Sequence, residues 1–196
     1  MASSSNADKI RPPFTLKLAQ TKDEIEACYD IRIEVFSVEQ GFPLDCEIDE
    51  YDPIAFHFLL TTPIPSPPSE QSINPSTTSS SSETGEGQQT TEKAIGTIRY
   101  VPTLSKLTRL AIHKEYRKYG FGRVLVDGMH EWIKQNALNE KLNVTDDKEG
   151  KQVVKVKCHS QIPVIPFYAR LGYVSEGSEF DEDGAPHQLM VKYIEI

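Results

Sequence analysis

The chain has 196 residues, which is long enough for one compact domain with its own core and too short for two domains of ordinary size. Hydrophobic residues make up 38% and charged residues 26% of the chain, as in an ordinary soluble protein. The formal net charge of -8 argues against nucleic acid as a partner, because phosphate binding is driven by basic surface.

The sequence also contains no targeting or membrane signal that we can identify. The first residues lack a basic region followed by an apolar stretch, and no apolar run approaches the length of a membrane-spanning helix. We therefore expect a cytoplasmic protein, with the nucleus also open, and no membrane partner. Three widely spaced cysteines, Cys28, Cys46 and Cys158, indicate reduced thiols and no zinc site.

The first elements along the chain are predicted to be a strand and a helix, after a flexible N-terminus at about residues 1–10. Phe14, Leu16 and Leu18 alternate with polar residues, which is typical of a half-buried strand. Thr21 and Glu24 form a capping-box pattern, and apolar residues follow them at helical spacing. An acidic loop comes next.

The largest change in composition lies between two predicted strands, at residues 55–60 and 94–101. Residues 63–91 between them are rich in proline and serine. Such a stretch cannot bury enough apolar surface to offset its chain entropy. Since neither flank has the size of a domain, we predict that residues 1–196 form a single domain with a disordered insertion at about 63–91.

Strands and helices are predicted to alternate after the insertion. A strand at 107–112 precedes a long helix whose apolar stripe is Leu125, Met129, Trp132 and Ile133. A polar loop at 139–152, a strand at 153–158, a short helical segment at 163–170 and a final strand at 188–194 complete the chain. This order predicts a mixed α/β sheet.

A glycine-bearing turn joins the strand at 107–112 to the long helix. Gly120 and Gly122 would let the backbone approach a phosphate closely, and the first N–H groups of a helix lack internal partners. Four basic residues gather here, at Lys114, Arg117, Lys118 and Arg123. The pattern is neither a Walker loop nor a dinucleotide fingerprint. An ordinary strand-to-helix turn is the alternative.

Two motifs give the chain a family resemblance. Arg117-x-x-Gly120-x-Gly122, after an apolar strand, resembles the coenzyme A signature of the GNAT (general N-acetyltransferase) superfamily. Phe167-Tyr168, followed by Gly172-Tyr173, resembles the later motif of that superfamily. Segments 35–40 and 183–187 are similar to its ElaA-like branch. The resemblance covers most of the chain outside the insertion.

The resemblance implies a fold and a cosubstrate. The expected fold is a mixed, mostly antiparallel twisted sheet that is splayed between strands 4 and 5 and flanked by helices. The expected cosubstrate is acetyl-CoA, or coenzyme A, without a metal. The residues implied to hold it are Leu110, Ala111, Ile112, Arg117, Lys118, Tyr119, Gly120, Phe121, Gly122, Arg123, Gln161 and Phe167.

Two catalytic residues are proposed on the same basis. Tyr168 matches the tyrosine that in many GNAT enzymes protonates the coenzyme A sulfur, and a buried aromatic side chain is the alternative. Glu39, in the ElaA-like segment, is the first choice for the general base. Its competitors are His57, His113, His159 and His187. Main-chain N–H groups at Leu110 or Ala111 would stabilise the developing oxyanion.

The expected function is N-acetyl transfer to a primary amine of a small acceptor, by direct attack in a ternary complex. Residues 21–60 contain eleven Asp or Glu against two Lys or Arg, and a second acidic group lies at 176–183. Together they would form a negative funnel for a cationic amine, although a merely solvated acidic surface is the alternative. A protein or peptide N-acetyltransferase and an inactive coenzyme A-binding regulatory module stay open. We expect a monomer or homodimer.

Overall fold

The structure, a computed structural model, describes residues 10–65, 90–182 and 184–196. Most of the expected flexible N-terminus and residues 66–89 of the expected insertion therefore lie outside the described residues. Strands flank the undescribed segment up to Pro65 and from Thr90. Regular structure thus extends two or three residues into each end of the expected insertion.

Eight strands and three α-helices follow one another along the described residues. They are β1 (Thr15–Leu18), α1 (Lys22–Arg32), β2 (Phe56–Pro65), β3 (Thr90–Val101), β4 (Lys106–Ile112), α2 (Phe121–Asn136), β5 (Val144–Asp146), β6 (Gln152–Gln161), α3 (Ile165–Ala169), β7 (Val174–Glu182) and β8 (Ala185–Glu195). The sheet order is β1-β2-β3-β4-β6-β8-β7, and β5 pairs with β6. Only β4 and β6 pair in parallel among these strands. The predicted mixed, mostly antiparallel sheet is confirmed.

The sheet opens between β4 and β6. These strands are paired at one position, Lys106 opposite Lys157, where the Lys157 N–H donates to the Ser105 carbonyl at 2.9 Å. Farther along, no ladder pairing joins them within the described residues. Arg109 lies in β4 at φ 54, beside a register shift against β3, so the strand bulges where the sheet opens. The predicted splay is confirmed, with β6 as the expected fifth strand.

Two strands are absent from the predicted order. β5 lies inside the segment predicted as a polar loop, and β7 lies in the second acidic group. β7 is at the edge of the sheet, and most of its side chains are exposed. An exposed edge strand needs no apolar alternation, so the period-two pattern that predicts strands is missing there.

The helix ends follow from local sequence. The Thr21 capping box is confirmed, because the Glu24 N–H donates to the Thr21 hydroxyl and the Thr21 N–H donates to the Glu24 carboxylate. After α1 the chain continues as a π-helix at Ile33–Glu39. α3 is shorter than the predicted helical segment, since a 3₁₀ turn at Ile162–Val164 precedes it and Pro166 in its first turn has no N–H to donate.

Helices cover both faces of the sheet. On one face the predicted stripe of α2 is confirmed, with Leu125, Met129 and Ile133 fully buried. Cys28 of α1 packs with Leu59 on the opposite face. The opening between β4 and β6 therefore lies between two helical layers. In the part of the chain that the structure describes, no helix has the length and apolar character needed to cross a bilayer.

Candidate active site

The turn between β4 and α2 borders the first cleft. Lys118 and Gly120 adopt left-handed backbone angles, with φ values of 72 and 77, and α2 begins directly after Gly120. The glycine at position 120 suits this conformation because it has no Cβ. Gly120 also has no side chain to cap the helix, so the first N–H groups of α2 are available to an anion.

Most residues expected to hold the cofactor surround this cleft. They are Ile112, Arg117, Lys118, Gly120, Phe121, Gly122, Arg123 and Phe167, joined by Tyr116, Arg170 and Leu171. A Cβ on Gly122 would meet the Phe167 ring at 3.4 Å, so glycine keeps this part of the cleft open. The Tyr119 carbonyl accepts a hydrogen bond from Arg11 Nε at 2.8 Å. Leu110 and Gln161 border the neighbouring cleft, and Ala111 is buried against α1.

Arg117 and Glu39 are bound to each other. The Arg117 guanidinium donates two hydrogen bonds to the Glu39 carboxylate, at 2.5 and 2.7 Å, and its Nε donates to the Ile112 carbonyl at 3.0 Å. The hydrogen bond from Arg117 lowers the pKa of Glu39 below its ordinary range. Glu39 does not border the second cleft described below. Its role as a base and the role of Arg117 as a phosphate ligand both stay predictions.

A second cleft, of about 270 Å³, lies at the opening between β4 and β6. Leu110 and Tyr168 border this cleft, whereas Ile112 and Phe167, their neighbours on β4 and α3, border the first. The two clefts therefore adjoin along these elements. A ligand bound at the turn before α2 could extend along β4 into the splayed region of the sheet.

Tyr168 is buried on the α2 face of the sheet. It is 6% exposed and belongs to the same core cluster as Cys158 of β6. Burial raises the pKa of its hydroxyl far above the ordinary value of 10. The phenol is therefore protonated at neutral pH and can act as a proton donor to a group in the second cleft.

Part of the expected negative funnel is neutralised by arginines. Asp52 accepts hydrogen bonds from Arg32 and from Arg99, each at 2.7 Å, and all three side chains are buried. Arg99 also donates to both oxygens of Asp49, at 2.7 and 2.8 Å. Arg109 lies 3.4 Å from Glu47, at Nε and Oε2. Glu47, Asp49 and Asp52 fix this segment to the sheet, whereas other carboxylates of residues 21–60 are exposed, among them Asp23, Asp30, Asp45 and Glu50.

The predicted histidines separate into two groups. His57 is buried, and its Nε2 lies 3.0 Å from the Asp52 carbonyl oxygen, within the arginine-carboxylate network. His113 pairs with Glu34 at 3.1 Å. Neither borders the second cleft, whereas His159 and His187 do.

The wall formed by β6, β7 and β8 contains a cluster that the sequence patterns do not indicate. His159 Nδ1 lies 2.8 Å from Glu182 Oε1 and 3.0 Å from Lys106 Nζ. His187 Nε2 lies 4.0 Å from the other Glu182 oxygen. In the sequence Lys106 and Glu182 are far from His159, and Glu182 is only one member of an acidic run. Their association depends on the strand order of the sheet.

Comparisons with known proteins agree with this architecture. Residues 86–175 match the family model for the acetyltransferase (GNAT) domain. A Bacillus subtilis (strain 168) protein named as a putative acetyltransferase is 27% identical to this chain, over 91% of this chain and 96% of that protein.

Two solved structures share the fold. An acyl-CoA N-acyltransferase from Pseudomonas aeruginosa superposes with a TM-score of 0.60 at 19% identity, covering 92% of this chain and 99% of the other. Escherichia coli ElaA gives a TM-score of 0.60 at 16% identity, covering 92% and 98%. The motifs around the open sheet, the family model, the Bacillus relative and the fold agree: residues 86–175 match the GNAT acetyltransferase domain, and the chain as a whole has the fold of the GNAT structures.

Proposed function

We propose that this acetyltransferase takes its acetyl group from acetyl-CoA and transfers it to a primary amine of a small acceptor by direct attack in a ternary complex. One observation carries the proposal: two clefts of different chemistry adjoin where the sheet opens. The first suits a phosphate-bearing ligand, and the second brings a buried phenol to the end of that path. A site for the cosubstrate beside a proton donor for its leaving thiolate suits acyl transfer.

The first cleft would hold the pyrophosphate of coenzyme A. The N–H groups at the start of α2 and the left-handed turn at Gly120 would approach the phosphates, and Lys118 and Arg123 would add positive charge. The pantetheine arm would follow the edge of β4, where the main chain of residues 107–112 is not paired with β6. Gln161 and Phe167 would border its path.

Tyr168 would act as the general acid in this scheme. The acceptor nitrogen attacks the thioester carbonyl carbon, the carbon–sulfur bond breaks, and the Tyr168 hydroxyl gives its proton to the departing thiolate. The Tyr168 hydroxyl is protonated at neutral pH and borders the second cleft, so it has a proton to give there. Main-chain N–H groups at Leu110 or Ala111 would donate to the carbonyl oxygen as negative charge develops on it.

The dimensions of the second cleft favour a small acceptor. Its volume of about 270 Å³ is slightly below the range of about 300–1,000 Å³ for small-molecule pockets. The lining contains Glu182 and Glu47 as well as Lys106 and Arg109. An ammonium group can therefore find a carboxylate within the cleft, even though part of the acidic segment at its rim is paired internally.

Thiol release from acetyl-CoA, measured against a panel of amines and basic peptides, tests the proposal. Small primary amines such as spermidine or glucosamine should support turnover, and peptides should support little. Turnover with basic peptides alone would replace the small acceptor with a protein or peptide acceptor. Binding of acetyl-CoA without thiol release for any amine would instead favour a coenzyme A-binding regulatory module.

A further inference from the structure

A histidine held by a carboxylate borders the second cleft. The His159 side chain is 27% exposed, so it is reachable from the cleft while its ring is held on one side. Its Nδ1 lies 2.8 Å from Glu182 Oε1, and the Phe180 ring packs edge-on against the imidazole at 4.8 Å between centroids. These two contacts fix both the position and the orientation of the ring.

The neighbours of His159 determine which ring nitrogen carries the proton. Nδ1 cannot donate to Glu182 and also accept from Lys106, although both groups lie within 3.0 Å of it. Burial disfavours the charged form of Glu182, but the hydrogen bond from His159 and the charge of Lys106 outweigh it and lower the pKa of this carboxyl. An ionised carboxylate at 2.8 Å requires a hydrogen on Nδ1, since two facing lone pairs would repel.

Lys106 then pairs with Glu182 itself, at 3.6 Å between Nζ and Oε1. The neutral imidazole consequently has its lone pair on Nε2. Among the residues that the structure describes, Nε2 of His159 has no hydrogen-bond partner. A ring nitrogen that is unprotonated, unpaired and next to a cleft can accept a proton from a bound ligand.

His159 and Tyr168 approach the cleft from opposite faces of the sheet. Cys158 shares its core cluster with Tyr168 on the α2 face. Because successive strand residues point to opposite faces, His159 points away from that layer. A thioester between the two faces would therefore have a proton donor on one side and a proton acceptor on the other, as amine attack and thiolate departure require.

We propose that His159, positioned by Glu182, is the general base that deprotonates the acceptor amine; this inference rests on the proposed function. The acceptor ammonium gives one proton to His159 Nε2, and the neutral amine then forms its bond to the carbonyl carbon. The carbon–sulfur bond breaks, and the thiolate takes the Tyr168 proton. The second amine proton restores Tyr168 through solvent, and His159 releases its proton to solvent. Glu39, already bound to Arg117, takes no part.

Activity should depend on pH through His159. The charged and titratable groups that face it are Lys106 from β4, Glu182 from β7 and His187 from β8. At low pH the imidazole takes up a proton and can no longer accept one from the ammonium. We therefore expect kcat/KM for the amine to fall as the pH is lowered.

His159→Gln tests the base directly, with spermidine and glucosamine as probe amines. Glutamine can still donate to Glu182 but cannot take up a proton, so kcat/KM should fall by about 10²–10⁴-fold. The decrease of kcat/KM at low pH, which is the acid limb of the pH profile, should disappear. The thermal shift caused by acetyl-CoA should not change. Wild-type kcat/KM and an intact acid limb in this variant would overturn the proposal, as would loss of the limb in Glu39→Gln.

Glu182→Gln tests the positioning role, since it retains an acceptor for Nδ1–H and removes the charge. The acid limb should move to lower pH, because the imidazolium loses its counter-ion. If His159→Gln is unstable, His159→Ala with added imidazole replaces it, and rescue of turnover is expected. Failure of imidazole to restore any activity in a folded His159→Ala protein would count against the proposal.

A measurement without an acceptor separates this inference from the proposed function. Nitrogen-15 spectra of the histidine rings in the free protein should show the Nδ1–H tautomer for His159 at neutral pH, identified by the signal missing from His159→Gln. The Nε2–H tautomer would overturn the inference. If wild-type protein neither binds acetyl-CoA nor releases thiol, the proposed function fails, whatever tautomer is found.

Discussion

Replacing Gly122 with aspartate should separate cofactor binding from folding. Gly122 lies in the first turn of α2, outside the left-handed backbone region, and a Cβ there would meet only the Phe167 ring, at 3.4 Å and beyond. Aspartate is about 0.3 kcal/mol better than glycine inside a helix, and an acidic residue near a helix N-terminus adds about 0.3–1 kcal/mol. The free protein should therefore melt at the same temperature or slightly higher.

The carboxylate that Gly122→Asp introduces would lie beside the proposed pyrophosphate site. Two like charges about 4 Å apart repel by about 4 kcal/mol at an effective dielectric constant near 20, which corresponds to about a 10³-fold loss of affinity. Acetyl-CoA at about a hundred times its wild-type dissociation constant should stabilise the wild-type protein by about 2.7 kcal/mol. For a chain of this size the gain is about 5–11 °C in melting temperature.

Thermal unfolding with and without acetyl-CoA measures both effects in one assay. Gly122→Asp should show almost no shift with the ligand, whereas Gly122→Ala, which adds the Cβ without the charge, should retain part of it. A full shift in Gly122→Asp would refute the assignment of this turn to phosphate. A collapse of the apo melting temperature would refute the packing argument.

Four further outcomes are expected. Tyr168→Phe should lower kcat by about 10²-fold at unchanged coenzyme A affinity, and the loss should shrink toward the pKa of a free thiol, about 8.5, in a pH series of thiol release. Asp52→Asn removes the carboxylate that the buried Arg32 and Arg99 share and leaves Arg32 with Glu47 at 3.8 Å, so it should cost up to about 3–5 kcal/mol in denaturant unfolding, against at most about 0.5 for the exposed Asp45→Asn. Burial lowers the pKa of His130 to about 3, so the unfolded state takes up a proton first as pH falls below about 6.5, and stability should decline from there toward pH 3, less steeply in His130→Gln. The single domain with a dispensable insertion predicts an unchanged melting temperature when a short Gly/Ser linker replaces residues 66–89.

Local patterns in the sequence were sufficient to predict most of the helices and strands. The Thr21 capping box, the stripe of α2 and the strand alternation each depend on residues within a few positions of one another. The glycine turn is equally local, since the left-handed angle at Gly120 is a property of the backbone at that residue. The resemblance to GNAT proteins then supplied the opening of the sheet between strands 4 and 5, which no local pattern contains.

Charge pairing could not be predicted in the same way. A carboxylate in a sequence does not indicate its partner, and Glu39 and Arg117, or Lys106 and His159, meet only after the sheet has formed. Counting acidic residues therefore predicted an open negative surface, whereas in the structure several of these carboxylates form ion pairs with arginines. The exposed edge strand β7 was missed for a related reason, and Glu182, which it carries, was missed as a partner of His159.

The internal pairing of Asp49 and Asp52 with arginines also affects how an acceptor would reach the cleft. Closely paired opposite charges produce a weak field at a distance, and salt at physiological strength screens what is left beyond about 8 Å. An arriving amine would thus gain little electrostatic steering from Asp49 and Asp52. Discrimination among amines would then arise after the encounter, from differences in the rates at which they dissociate from the cleft.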